Sequence, residues 1–271
     1  MANVYFVGEP VGGWVLIDAG MPGYTHAIRR EAARLFGHRN PPRAIVLTHG
    51  HFDHVGGLPE LADVWRVPVY AHPLETPHLA GASPYPPPNP AAGGGIMAWL
   101  SPLYPRGPID LGDRLRLLPE DGTVPGLRDW RWIHTPGHTS GHVSLFRDDD
   151  RALVAGDAVV ATRSESLLDV ALQREVVWRP PAYYTSDWES AERSVRILAA
   201  LQPNMLATGH GHVLRGEAMR RSLARLADRF SVLTPRQQRA APRLLPLGVA
   251  IGAAAVVGGA VALSVRKHRP D

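Results

Sequence analysis

Cysteine is absent from the 271 residues, and lysine occurs once, at Lys267. Without cysteine there is no disulfide, no thiolate nucleophile and no Cys-ligated zinc, so a metal site must be built from histidine and carboxylates. The N-terminus lacks a basic region followed by an apolar core. Met1-Ala2-Asn3 runs straight into Val4-Tyr5-Phe6-Val7, which reads as a strand pattern and not an export signal, so the body is expected in the cytoplasm. A basic face is missing as well. The net charge is +4, but Arg236, Arg239, Arg243, Arg266, Lys267 and Arg269 all fall in the tail and leave the rest nearly balanced. The body therefore carries no electrostatic footprint for nucleic acid. Arginine in place of lysine, with 27 glycines and 26 prolines, points to a high-GC bacterial source.

What the chain does have is histidine, and its densest stretch is Thr48-His49-Gly50-His51-Phe52-Asp53-His54. Three imidazoles and a carboxylate within six residues are a density that structural histidines rarely reach. The stretch follows the apolar run Ala44-Ile45-Val46-Leu47, which reads as a buried strand. His49 and His51, two apart on an extended backbone, share a face, and Asp53 and His54 follow where the chain turns. One short loop then presents ligands in two directions, which suits two metal ions better than one. The helical His-Glu-x-x-His zinc spacing does not occur here.

Further along, Thr25–Phe36 has helical periodicity and is closed by Pro41-Pro42, Leu58–Val64 reads as a short helix, and Val67–Ala71 reads as a strand. The segment 72–108 is proline-rich, contains Gly93-Gly94-Gly95 and carries Trp99, Leu100 and Tyr104 in exposed-looking positions. So long a stretch with little periodicity reads as a functional lid, with a disordered insertion as the alternative. Strand patterns at Leu115–Leu118 and Trp130–Ile133 lead to His134-Thr135-Pro136-Gly137-His138-Thr139-Ser140-Gly141-His142. A hairpin of Val143–Phe146 and Ala152–Ala155 ends at Gly156-Asp157. Ser186 or Asp187 can cap a helix to Leu201, and Asn204–Ala207 is a last strand ending at Thr208-Gly209-His210-Gly211-His212. A surface helix over Glu217–Phe230 follows.

Four strand ends thus each deliver a histidine or aspartate. The order His-x-His-x-Asp-His, Pro-Gly-His, Gly-Asp and Gly-His-Gly resembles the metallo-β-lactamase superfamily of binuclear hydrolases over most of residues 1–215. The resemblance implies an α+β fold, a four-layer αββα sandwich, for residues 1–232. It implies that His49, His51 and His138 hold one metal, that Asp53, His54 and His210 hold the second, and that Asp157 bridges them. Two Zn2+ ions are expected, with iron or manganese as alternatives. Such a pair lowers the pKa of a shared water, giving a bridging hydroxide for attack on an ester, thioester or lactone, and the resemblance gives Asp53 a further part in taking the water's proton. Cysteine-using lactamases are excluded, the residues after His212 are too few for the helical domain of glyoxalase II, and the near-neutral body does not fit nucleic-acid processing relatives. A small-molecule substrate with a hydrophobic part remains, with Tyr183, Tyr184 and Trp99 as candidate contacts. His142 and His212 read as hydrogen-bonded supporting residues, His134 as holding the Thr-Pro turn that follows it, and His72 as a residue near the site that is not a metal ligand.

After a linker over 233–243, Leu244–Val265 is 22 residues without a charge, followed by the basic tail 266–271. As a helix it would be about 33 Å long against roughly 30 Å of bilayer hydrocarbon. With Arg243 and Arg266-Lys267-His268-Arg269 at its ends it is expected to be a transmembrane tail anchor holding the enzyme on the cytoplasmic face of a membrane. A buried or interfacial helix is the alternative. Two other functions remain open at this point: a mono-iron sulfur dioxygenase of the same fold, and a non-catalytic membrane-tethered binding module.

Overall fold

Strands β1 (Tyr5–Glu9) and β2 (Gly13–Ile17) form an antiparallel hairpin whose side chains divide by parity. Phe6, Trp14 and Leu16 face the helices Thr25–Phe36 and Leu58–Trp65, where Trp14 stacks on Phe36 at 4.5 Å between ring centroids. Tyr5, Val7, Val15 and Ile17 face the opposite way, into a core shared with the second half of the chain. Both faces being covered explains why these strands read as continuous apolar runs. Each large side chain buried in such a core contributes about 1.5–3 kcal/mol before entropy is subtracted. The computed structural model describes residues 2–9 and 12–234.

The first sheet continues through β3 (Ala44–Val46), β4 (Val69–Ala71) and β5 (Leu115–Leu117), in the order β1-β2-β3-β4-β5 and parallel from β2 onward. The second sheet comprises β6 (Thr123–Val124), β7 (Leu127–His134), β8 (Val143–Arg147), β9 (Ala152–Val154), β10 (Met205–Ala207) and β11 (Leu214–Arg215), in the order β11-β10-β9-β8-β7-β6. The same parity recurs here. Leu145, Val154 and Met205 point between the sheets, while Phe146, Leu153 and Leu206 pack on the helices Trp188–Ala200 and Gly216–Asp228. Helix, sheet, sheet and helix make the expected four layers. Asp187 caps the helix Trp188–Ala200 by accepting from the Ser190 N–H at 3.0 Å.

The segment 72–108 is more ordered than its composition suggests. It holds short helices at Thr76–Leu79 and Ile96–Leu100, with 3-10 turns at Pro73–Glu75 and Ser101–Leu103. Leu79, Tyr85 and Ala98 are buried, so the segment packs onto the domain by single side chains and not by a periodic face.

The transmembrane expectation is corrected. Among the described residues no helix is long and apolar enough to cross a membrane. The span 244–265 was inferred from charge and length alone, and it lies outside the described residues together with the basic tail. The membrane partner and the tail-anchored location on the cytoplasmic face, which rested on that span, fall with it.

Candidate metal centre

Parallel strands bring their C-terminal ends to one edge, and the chemistry-bearing stretches all lie there. Beyond β3 the chain carries His49 and His51, and the helix Phe52–Val55 then turns Asp53 and His54 back toward the same point. The β7–β8 connection supplies His138, the end of β9 supplies Asp157, and the end of β10 supplies His210.

The donor atoms converge closely. His49 Nε2 lies 3.0 Å from His51 Nδ1, which is 3.0 Å from His138 Nε2. His210 Nε2 lies 3.1 Å from Asp157 Oδ2 and 3.4 Å from Asp53 Oδ2. Asp157 stands between the groups, with Oδ2 3.6 Å from His138 Nε2 and Oδ1 3.6 Å from His54 Nε2. His49, His51 and His138 form one set of donors close enough to share an ion. Asp53, His54 and His210 form another, and His49, His54 and Asp157 link them.

The electrostatics fit a cation. Burial, reinforced by the rings of His54, His51 and His138, holds the His49 pKa well below the ordinary histidine value, and burial does the same to His138. Burial also pushes His51 down to about 4. All three rings are therefore neutral at pH 7 and offer lone pairs. His54 behaves oppositely. Burial works against its charged form, but the carboxylates of Asp18, Asp157 and Asp53 outweigh it and hold the ring well above the usual value. Asp157 mirrors this, since burial would raise its carboxyl while His210 and His54 hold it well below the carboxylate range. Positive charge is thus favoured at the boundary of the two groups, whether it is a proton or a metal. His54 Nε2 and Asp157 Oδ1 are also buried without a hydrogen-bond partner, a costly arrangement in an interior unless an ion satisfies both.

One residue in the support of this cluster escaped the sequence reading. Asp18, at the end of β2, accepts at 2.8 Å each from the Thr48 N–H and the Thr48 hydroxyl, and its Oδ2 lies 2.8 Å from His54 Nδ1. The Thr48 hydroxyl in turn lies 3.1 Å from His49 Nδ1. Asp18 therefore fixes the ring orientation of one histidine in each group. It does so from a left-handed backbone with φ of 59°, a conformation aspartate tolerates better than most residues. A carboxylate at a strand end just before Ala-Gly was the available signal. His142 lies below the site. Its Nδ1 is 2.9 Å from the Thr135 hydroxyl, and its Nε2 accepts from the Asp157 N–H at 2.9 Å. His72 stacks on His134 at 4.2 Å.

A cavity of about 190 Å³ opens above the cluster, bordered by His51, Asp53, His138, Asp157 and His210. Met21, Phe52, Met97, Tyr104, Val170, Tyr183 and Tyr184 supply its walls, and no lysine or arginine is among its described lining residues. Tyr183 and Tyr184 are thus beside the cluster. Trp99 is not, being 64% exposed and outside the lining, while its neighbours Met97 and Tyr104 reach in.

Comparison with known proteins decides the family. A sequence model of the Metallo-beta-lactamase superfamily matches residues 1–210. The chain belongs to the metallo-β-lactamase superfamily. It is 49% identical over 233 residues to the probable metallo-hydrolase YflN of Bacillus subtilis (strain 168), covering 85% of this chain and 88% of that one. A hydroxyacylglutathione hydrolase of Xylella fastidiosa (strain M12) is 36% identical over 119 residues, 44% of this chain and 33% of the other. Among solved structures, TTHA1623 in a di-iron-bound form aligns with a TM-score of 0.53 at 29% identity over 79% of this chain and 90% of that one. The BLEG-1 B3 metallo-beta-lactamase aligns with a TM-score of 0.59 at 23% identity, covering 86% and 94%, and so shares the fold. The protein is a metal-dependent hydrolase of this superfamily with a His/Asp metal-binding cluster.

Proposed function

We propose that the protein is a binuclear hydrolase of small, uncharged carbonyl esters, thioesters or lactones with a hydrophobic part. His49, His51 and His138 would hold one zinc ion, Asp53, His54 and His210 a second, and Asp157 would bridge them. The observation that carries this reading is the second donor group. A one-metal enzyme leaves Asp53, His54 and His210 idle, yet their donor atoms all lie within 4.8 Å of one another, with an orphaned His54 Nε2 aimed at an orphaned Asp157 Oδ1. When bound, a metal pair would supply Lewis acidity and make hydroxide available near neutral pH.

The protein's own groups complete the chemistry. Asp53 reaches the cavity floor beside His210 and is placed to accept the proton of an attacking water. Tyr184 has a buried hydroxyl with no partner, and its ring lies 4.6 Å from His51, so it is placed to donate to the substrate carbonyl oxygen. Burial, together with Asp53 and Tyr104, keeps Tyr184 protonated, and burial with Asp53 does the same for Tyr183. The apolar walls favour an acyl or ring carbon skeleton, and the absence of lysine and arginine from the described lining disfavours an anionic headgroup at the reacting centre. Met97 and Tyr104 make the segment 72–108 the roof of this chamber, consistent with a lid.

A turnover screen across thioesters, lactones, β-lactams and phosphodiesters, on protein of known metal content, tests the proposal. The expected result is two zinc ions per chain with hydrolysis of neutral esters, thioesters or lactones. One iron per chain with oxygen consumption would overturn it.

A further inference from the structure

We propose that Glu75 is the positioning residue of the three-histidine group, a buried carboxylate that ties together the two loops carrying His49, His51 and His138. The inference rests on the metal-site reading above.

Glu75 ends the 3-10 turn that follows β4, far in sequence from either loop, and is fully buried. A carboxylate in an interior is costly unless its lone pairs are satisfied, and Glu75 makes no ion pair among the described residues. Four donors converge on it instead. Oε1 accepts from the Thr139 hydroxyl at 2.7 Å and from the Gly141 N–H at 2.9 Å. Oε2 accepts from the Gly50 N–H at 3.0 Å and from the Tyr85 hydroxyl. Gly50 lies between His49 and His51, and Thr139 follows His138 directly. One oxygen therefore grips the His49–His51 loop and the other grips the His138 loop. The distance between these loops decides whether three imidazole nitrogens can meet one ion.

Two glycines give the second line of argument. A Cβ at Gly50 would lie 2.6 Å from the Tyr85 hydroxyl, and a Cβ at Gly141 would lie 2.7 Å from Glu75 Cγ. Neither distance is tolerable, so both loops are shaped for close approach to this carboxylate and its tyrosine partner. Tyr85 extends the clamp, since its ring lies 4.5 Å from the His51 ring and stacks on His78 at 3.8 Å. The second donor group has no such tie to Glu75. Asp53, His54 and His210 are supported instead through Asp18 and the strand ends.

The test is position-specific metal binding by the full chain, stripped with a chelator and titrated with cobalt(II) under competition, reading affinity and the visible absorption of the bound ion. An Asp53→Ala background leaves the three-histidine position, and a His138→Ala background leaves the other. Glu75→Gln places an amide N–H against the donors it should accept from. It is expected to lower affinity 10–100-fold and alter the absorption in the first background, with little change in the second. Thr139→Val, which removes one donor with little change of shape, should give a smaller loss in the same background only. Unchanged affinity with both substitutions, or equal losses in both backgrounds, would overturn the proposal. A parent chain that binds no cobalt(II) would instead overturn the metal-site reading, and this inference with it.

Discussion

The two donor groups share Asp157 but are built on opposite principles. His49, His51 and His138 are buried rings kept neutral chiefly by desolvation, whereas His54 is buried among three carboxylates that favour its charged form. His210 and Asp53 are only partly buried and reach the cavity. The difference assigns them different work. Under the proposed function the three-histidine position would be a socket held from behind by backbone and hydrogen bonds while meeting the cavity through His51 and His138, and the Asp53–His54–His210 position would add the carboxylate that takes a proton.

The largest break in this contrast should come from Asp157→Ala, since the proposed bridge would belong to both positions. Turnover is expected to fall to background while circular dichroism and melting show a folded protein, and retained turnover would refute the bridge. Asp18→Asn comes next. It removes a carboxylate acceptor from His54 Nδ1 and from Thr48, and metal affinity should drop about 10–100-fold, more at the Asp53–His54–His210 position than at the other. Equal affinities for the parent and the variant in a chelator competition would remove Asp18 from the account. Tyr184→Phe should be the mildest. Because the hydroxyl has no protein partner, stability should stay within about 0.5 kcal/mol. The lost hydrogen bond to substrate should cost about 1–1.5 kcal/mol, roughly tenfold in kcat/KM. A loss of stability without a loss of rate would mean that the hydroxyl serves packing.

Most of the fold could be read from the chain because its strands and helices announce themselves by period. Thr25–Phe36 emerges with the expected bounds, and Ala44–Val46, Leu58–Trp65 and Met205–Ala207 within a residue or two at their ends. The strands β6 and β11, of two residues each, and the helices Phe52–Val55 and Leu167–Leu172 are too short for a period to show, and they passed unnoticed. The seven metal-directed residues stood out because histidine and aspartate cluster at strand ends, and the structure brings all seven together. Their supporting residues did not stand out. Asp18 and Glu75 are single carboxylates in unremarkable contexts, and only the folded chain shows which loops they reach. Trp99 drew attention as an aromatic in an irregular segment, but the chain turns Met97 and Tyr104 inward in its place. The uncharged stretch 244–265 suggests a span by length and flanking charge, but it lies outside the described residues, among which no helix is long and apolar enough to cross a membrane.

The central claim is that one chain holds two metal positions of unlike construction. Stepwise zinc titration of the stripped full-length protein, repeated on His138→Ala and Asp53→Ala, tests it most directly. Two equivalents in the parent, with each variant losing one and retaining the other, is the predicted result. A single equivalent in the parent that both variants abolish would contradict it.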